Sequence, residues 1–575
     1  MDTMFEQSFK LYSSLEKIMI DKMPVSEELK NASILKNERF SFQIGYEYVD
    51  GIRYRHYPVS FEVISPLKEY ITVYRVENVS AEMVQYHYKG TKDDAVISDK
   101  PGLYPDVLVP QETNRIRVAQ GCIDALWFTV DTKGEVEAGV YPITVQFQCE
   151  KKAETEGEED IVYTAVKTVE LEIIDAVLPK QKLIYTQWFH ADCLASYYKV
   201  DTFSERHWEI IENFMRVAVK NGHNTIFTPV FTPPLDTAVG GERPTTQLLD
   251  IYVDHGIYRF GFEKLDRWIA LSQKVGYQYF EMPHLFTQWG AAYCPKIMAT
   301  VDGEYKKIFG WENSSSSPAY RTFLANFLPA LTSYLEGKGL KDYTFFHYSD
   351  EPSEKHLDTY KEAVKGAEGY LEGWKCMDAL SDVAYYKDGL VKNVIVPHHR
   401  SDSFFREGIH DIWVYYCCIQ RDYYSNRFLC YPLWRTRVMG LQLFKYDIPG
   451  FLQWGYNFYY NEHSEKLIDP YRVTDGGRAF PAGDAFSVYP GEDGECLESV
   501  RLTAFYEGIQ DMRALQLLAD YIGREKTVEI IDEVAGMDVT FRDYPANVFF
   551  IQALRRRVNK LIKEQVTTQT ETQRI

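Results

Sequence analysis

No run of this sequence is long and apolar enough to span a bilayer, and no charged segment followed by an apolar one opens it. The first absence argues against a membrane-embedded protein, and the second makes a cytoplasmic protein the expectation. Cysteine is sparse: nine residues, scattered and odd in number, with no CxxC spacing. That pattern argues against a disulfide framework and for reduced, mostly buried thiols. Cys417 and Cys418 are neighbours inside an expected strand, where they would point to opposite faces. A basic excess is also missing, since 63 Lys and Arg face 83 Asp and Glu for a net charge of −20. Nucleic acid and anionic membranes both need a basic face, so neither is an expected partner. The glycine patterns GxGxxG and GxxxxGK[ST] are absent, as is GxSxG, which leaves dinucleotide, P-loop and serine-elbow readings without support. His190 with Asp192, and His398 with His399, lack the spacing of a known metal motif, so neither metal nor cofactor is expected.

What is abundant is apolar and aromatic: 45% hydrophobic and 15% aromatic residues over 575 positions, enough for large cores in two to four domains. Residues 1–24 read as a helix or an irregular arm. Over 25–178 short runs rich in Val, Ile, Tyr and Phe alternate apolar with polar, as in Phe40–Ile44, Val59–Val63, Leu126–Val130 and Thr168–Ile174. Such runs are half-buried antiparallel strands, and their number predicts a β-sandwich. From 179 to 523 the grammar changes. Eight short apolar runs alternate with helical stretches: Leu183–Phe189, Asn224–Val230, Tyr277–Met282, Tyr343–Tyr348, Trp374–Met377, Asn393–Val396, Ile412–Tyr416 and Gly450–Trp454. Eight such units predict a closed (β/α)8 barrel, with weak helices in the fifth to seventh. Residues 524–563 read as C-terminal helices and 564–575 as a disordered tail. The expected class is thus multidomain, all-β followed by α/β.

The stretch Tyr343–Pro352 organises this reading. It starts as a buried strand and ends on Asp350, Glu351 and Pro352, and Ser353 is a plausible cap for the helix that follows. In a barrel, the end of a strand is where active-site residues sit. The other strand ends add Trp188, His190 and Asp192; then His284, Gln288 and Trp289; then Asp378; then Tyr415 and Tyr416; and finally Trp454, Asn457 and Tyr459. Aromatic rings mixed with acids and amides suit a sugar, because rings stack on its C–H faces while polar groups bind its hydroxyls.

The stretches Phe189–Cys193, Thr228–Thr237, His284–Gly290, Tyr348–Pro352 and Phe451–Asn457 resemble glycoside hydrolase family 123, the β-N-acetylgalactosaminidases, which are close to the domain of unknown function 4091. Asp484–Met512, with Tyr489–Gly491 and Ser499–Leu502, resembles the C-terminal part of that domain. The likeness runs from about residue 30 to 520. It implies a β-sandwich followed by a (β/α)8 barrel. It also implies an Asp–Glu catalytic pair, matched here by Asp350 and Glu351. The substrate class it implies is a glycan or glycolipid oligosaccharide ending in β-N-acetylgalactosamine.

Adjacent acids suit a divided task. Retaining glycosidases that use two carboxylates hold them ~5 Å apart across the scissile bond, and inverting ones ~6.5–9.5 Å apart. Neighbours on an extended chain point to opposite sides and grip one bond poorly. The expectation is that Glu351 protonates the glycosidic oxygen while Asp350 orients the 2-acetamido group, whose oxygen attacks C1 to form an oxazolinium ion. A tyrosine then holds the acetamido oxygen, with Tyr415, Tyr416 and Tyr459 as candidates. Two alternatives stand beside this. One is a glycosidase of another sugar with Glu281 or Asp378 as nucleophile. The other is a carbohydrate-binding protein without catalysis.

Overall fold

The computed structural model describes residues 2–47, 59–86, 93, 95–119, 121–151, 153, 159–288, 290–352 and 354–574. Trp289 and Ser353, both named above, lie outside the described residues. The chain divides into two compact units. The first comprises Met1–Gln181, Arg421–Lys445 and Leu497–Ile575, and the second Lys182–Gln420 and Tyr446–Cys496.

The first unit contains two sheets. In one, Phe9–Ser13, Arg39–Glu47, Ile123–Asp131, Ile71–Ala81 and Gly102–Pro110 lie side by side in that order. The other runs Asn31–Leu35, Ile161–Ile174, Gly139–Lys151, Val59–Ile64 and Arg115–Ile116. The inward residues of both meet in one apolar core that includes Phe42, Phe128, Val145, Phe147 and Leu171. Phe9 of the first sheet stacks on Phe147 of the second, with ring centroids 4.0 Å apart. Residues 9–13, expected as part of an arm, are therefore a sheet strand. The helix Val500–Ile522 belongs to this unit. Arg501 grips Asp106 with two hydrogen bonds, 2.8 and 2.7 Å, and both side chains are fully buried. Gln510 exchanges hydrogen bonds with the backbone N–H and C=O of Arg39, each 2.8 Å. The last helix, Val548–Arg574, continues across most of the residues expected to be a disordered tail.

The second unit is a parallel eight-stranded barrel. Its strands are β1 (Ile184–Gln187), β2 (Thr225–Phe227), β3 (Tyr279–Glu281), β4 (Thr344–His347), β5 (Lys375–Ala379), β6 (Asn393–Pro397), β7 (Trp413–Tyr415) and β8 (Gly450–Gln453). They neighbour one another in chain order, with β8 returning to β1. Asn224, one residue before β2, joins the remaining pair. It donates its N–H to the Tyr185 carbonyl at 3.2 Å, and its Oδ1 accepts the Tyr185 N–H at 2.8 Å. Six of the eight strands fall within the runs marked in the sequence, while β5 runs two residues and β6 one residue past the marked end. The helices after β5 and β6 are short, Ala384–Lys387 and Ser401–Phe405, as their weak periodicity predicts. Trp188, Phe227, Phe345, Met377, Ile395, Trp413, Tyr415 and Leu452 fill the barrel interior. Among the described residues no helix is long and apolar enough to cross a membrane.

Candidate active site

Two residues past the end of β4 the chain turns sharply. Tyr348 and Ser349 are pinned first: their N–H groups donate to the Asp378 carboxylate of β5, Tyr348 at 2.8 Å and Ser349 at 3.2 Å to the nearer oxygen. Ser349 Oγ donates to the Thr287 carbonyl at 2.8 Å. With that backbone fixed, Asp350 and Glu351 enter a cleft, and Glu351 adopts a φ of +43°. A left-handed conformation is uncommon for a side-chain-bearing residue and concentrates at functional positions.

The cleft encloses about 770 Å³, counting its open mouth. Trp188, Trp454 and Phe480 supply rings; Asp350, Glu351, Asp236, Gln288 and Tyr415 supply polar groups; Cys417 and Cys418 complete one wall. The Tyr415 hydroxyl donates to Glu351 Oε1 at 2.5 Å. Trp454 is fixed by donating Nε1–H to Asp484 Oδ2 at 3.0 Å. Trp188 is fixed in the same way by Glu281 Oε1 at 2.8 Å.

Proton affinities in the cleft are raised. Asp350 stands well above the ordinary carboxylate range, first because burial disfavours its charge and then because Glu351, Asp378 and Asp236 are like charges near it; His347 opposes them. Burial also raises Glu351, while the hydrogen bond from Tyr415 pulls it down. Part of Glu351 nevertheless faces solvent in the open cleft, which moderates this effect. Asp236 is pushed up to about 6, chiefly by burial.

Beneath the floor lies a fully buried ionic cluster. Glu281 accepts from Thr186 Oγ1 at 2.9 Å, from Trp188 Nε1 and from His347 Nε2 at 2.7 Å. His347 Nδ1 lies 3.6 Å from Asp378 Oδ1, and Tyr360 donates its hydroxyl to Asp378 Oδ2. Burial alone would lower the His347 pKa. Its two carboxylate partners, Asp378 and Glu281, reverse that and raise it to about 9. The two acids that flank His347 thus favour its protonated form.

The residues singled out in the sequence separate into two groups. Asp350, Glu351, Trp188, Gln288, Tyr415 and Trp454 line the cleft. The others are framework. His190 gives Nε2 to the Trp454 carbonyl at 2.9 Å and faces Arg243 with Nδ1 at 3.1 Å. Asp192 forms a buried two-pronged pair with Arg243, 2.9 and 2.8 Å. Asn457 clasps the His190 backbone through both ends of its amide. Tyr416 packs edge-on against Phe451. Tyr459 donates its hydroxyl to the Val488 carbonyl at 3.0 Å. His284 is buried 4.6 Å from the His347 ring, and burial keeps it uncharged. Asp378 anchors the backbone just after β4 and does not line the cleft.

Asp236, Cys417, Cys418 and Phe480 are lining residues the sequence reading did not single out. Asp236 was legible in part, as the first acid after β2, in Thr228–Asp236. Cys417 and Cys418 do not alternate in a strand: β7 ends at Tyr415, and both thiols follow it into the cleft wall.

Acids, one amide and rings thus meet at the C-terminal end of a parallel barrel. Among solved structures, a family 123 glycoside hydrolase from Clostridium perfringens, studied for glycolipid glycan hydrolysis, superposes with a TM-score of 0.71 at 14% identity, covering 98% of each chain. A glycosyl hydrolase family 2 member from Bacteroides cellulosilyticus aligns over 80% of this chain and 47% of its own at 8% identity, with a TM-score of 0.28. No curated protein matches in sequence. The family description "Glycoside hydrolase 123, catalytic domain" matches residues 188–518, more than half of the chain. That stretch contains Asp350, Glu351 and every described residue that lines the cleft, and the chain belongs to glycoside hydrolase family 123.

Proposed function

We propose that this glycosidase removes β-linked N-acetylgalactosamine from glycans with retention, the substrate's own acetamido group acting as nucleophile. The observation that carries this reading is the role of the neighbouring carboxylates. Glu281 and Asp378, the nucleophile candidates on adjacent strands, are fully buried and saturated by His347, Trp188, Thr186, Tyr360 and backbone N–H groups. Neither reaches a sugar without dismantling the floor. In the reading proposed here the neighbouring acids share one proton: Glu351 carries it and protonates the leaving oxygen, which leaves Asp350 ionised to accept the acetamido N–H and offset charge on the oxazolinium. Of the three candidate tyrosines only Tyr415 lines the cleft. It turns from Glu351 to the acetamido oxygen once substrate enters.

Asp236 and Gln288 form the hydroxyl-reading wall. The Asp236 N–H donates to Gln288 Oε1 at 2.7 Å, which aligns the two, and Gln288 Nε2 is buried without a partner among the described residues. A hydroxyl that donates to Asp236 and accepts from Gln288 satisfies both, and O4 is the position that separates the galacto from the gluco sugar. The relative from Clostridium perfringens supports a glycolipid oligosaccharide as the natural substrate class. We read the two-sheet unit as a β-sandwich, supported by its shared apolar core.

The test is a panel of p-nitrophenyl β-glycosides with and without the 2-acetamido group, in galacto and gluco forms. Only the acetamido sugars should turn over, the galacto epimer faster. Faster cleavage of the gluco epimer would overturn the specificity, and cleavage of plain galactosides would overturn the mechanism. Asp236 is the remaining carboxylate on the cleft wall, so trapping with a 2-deoxy-2-fluoro glycoside should also leave Asp236 unlabelled.

A further inference from the structure

The loops after β2 and β3 supply Asp236 and Gln288 to the cleft, and each continues into a hairpin. The first hairpin is Asp250–Asp254 with Ile257–Gly261, and the second is Ile297–Val301 with Glu304–Phe309. Asp250–Asp254 pairs in parallel with Ile297–Val301, which joins the hairpins into one four-stranded sheet. One face of that sheet is covered. Phe260 lies 5.9 Å from Phe327 and Tyr258 5.8 Å from Phe323, both on the helix Pro318–Gly337.

Side chains alternate along a strand, and residues directly opposite each other share a face. The register places Arg259 opposite Tyr252, Tyr252 opposite Thr300, and Thr300 opposite Tyr305. This row lies on the face away from the helix. Tyr252 is 41% exposed and Tyr305 63%. They are two strand spacings apart, about 9–10 Å, with only a threonine between them. Beside the row runs a groove of about 850 Å³, counting its open mouth, lined by Tyr252, Thr300, Tyr305, Asp250, Lys264 and Phe203. Asp250 and Lys264 form a half-exposed ion pair at 2.5 Å.

A single exposed aromatic needs no explanation. Two rings in register, separated by a small hydroxyl residue and flanked by a groove with charged donors and acceptors, form a defined pattern. The centre of a protein–protein patch is depleted of charge, whereas Arg259, Asp250 and Lys264 stand within this one. Rings spaced by two strands match two sugars of one chain, with polar groups between them for the hydroxyls. We propose that this face is a second carbohydrate-binding surface, on which Tyr252 and Tyr305 stack on two sugars of an oligosaccharide while Thr300, Asp250 and Lys264 bind hydroxyls. The proposal rests on the carbohydrate reading of the cleft. It extends that reading, because the segments that hold the chain here also carry Asp236 and Gln288.

The test measures fluorescence anisotropy of a labelled hexasaccharide ending in β-N-acetylgalactosamine, with Glu351→Gln as the non-hydrolysing background. Adding Tyr252→Ala and Tyr305→Ala should weaken binding about tenfold, the scale of two lost ring contacts. Tyr305→Phe should retain binding, since stacking needs the ring and not the hydroxyl. In the otherwise native enzyme the double alanine variant should cleave p-nitrophenyl β-N-acetylgalactosaminide at an unchanged rate. Undiminished hexasaccharide binding in the double variant would overturn the proposal. So would an equal loss on the monosaccharide glycoside, or a change of oligomeric state by light scattering that marks the face as a protein interface. Tyrosine-dependent binding in an enzyme that cleaves no aryl glycoside would sink the cleft reading and leave this surface standing.

Discussion

Glu351 combines a left-handed backbone, a hydrogen bond from Tyr415 and a proton affinity that burial raises. If it is the general acid, Glu351→Gln should slow hydrolysis of substrates with poor leaving groups by ~10²–10⁴-fold. Activated aryl glycosides, which need little proton help, should lose less, and equal losses on both would remove the acid role. Asp236 carries a pH signature of its own. Its folded pKa of about 6 lies above the ordinary 3.8, so between those values the folded state holds a proton that the unfolded state has lost. Stability therefore falls as pH rises through that window, and the penalty is complete above it. Asp236→Asn removes the penalty, and its thermal midpoint should drop less than the wild type's between about pH 4 and 6.5. A parallel drop in both proteins would contradict the assignment. At this scale the sequence was legible where a strand end declares itself, as at Asp350, Glu351, Trp188 and Trp454. It was less legible where one position decides direction. Tyr415 points into the barrel and Tyr416 packs outward on Phe451, a difference of alternation that strand ends obscure. His190 and Asp192 sit in the right segment but are claimed by Arg243, a residue 51 positions beyond Asp192.

Elements bring these residues to one mouth. The eight barrel strands were legible because each is a short apolar run followed by a helical period or a turn, and Asp378 of β5 also ties down the backbone of Tyr348 and Ser349 just after β4. The hairpins inserted after β2 and β3, Asp250–Gly261 and Ile297–Phe309, lie in spans where the alternation of strand and helix predicts no element. Packing between β7 and β8 is unusually close. A Cβ added to Gly450 would lie 2.1 Å from the Trp413 ring, its partner in the register. Trp413 lies two residues before Tyr415 on the same strand. Gly450→Ala should therefore cost about 1–3 kcal/mol or more in chemical denaturation and lower kcat by moving Tyr415. Wild-type stability with a wild-type rate would show that the ring yields freely.

At the scale of the whole molecule, the order of the sequence is not the order of the units. Linear reading places a barrel over 179–523, yet Arg421–Lys445 and Leu497–Ile575 belong to the two-sheet unit. Nothing in local periodicity says that Arg501 will bury its charge against Asp106, 395 positions away. Removing one partner of such a pair leaves an uncompensated buried charge. Residues 1–181 expressed alone should consequently lack a cooperative thermal transition, and a sharp two-state melt of that segment would contradict the interleaved arrangement. For the enzyme as a whole, the central claim is that the substrate's acetamido oxygen attacks C1. The most direct measurement is kcat/KM for aryl β-N-acetylgalactosaminides whose N-acetyl group carries zero, one, two or three fluorines. Each fluorine weakens the carbonyl oxygen as a nucleophile, so the account predicts a steep, monotonic fall across the series, whereas a flat series would contradict it and return the nucleophile to a protein carboxylate.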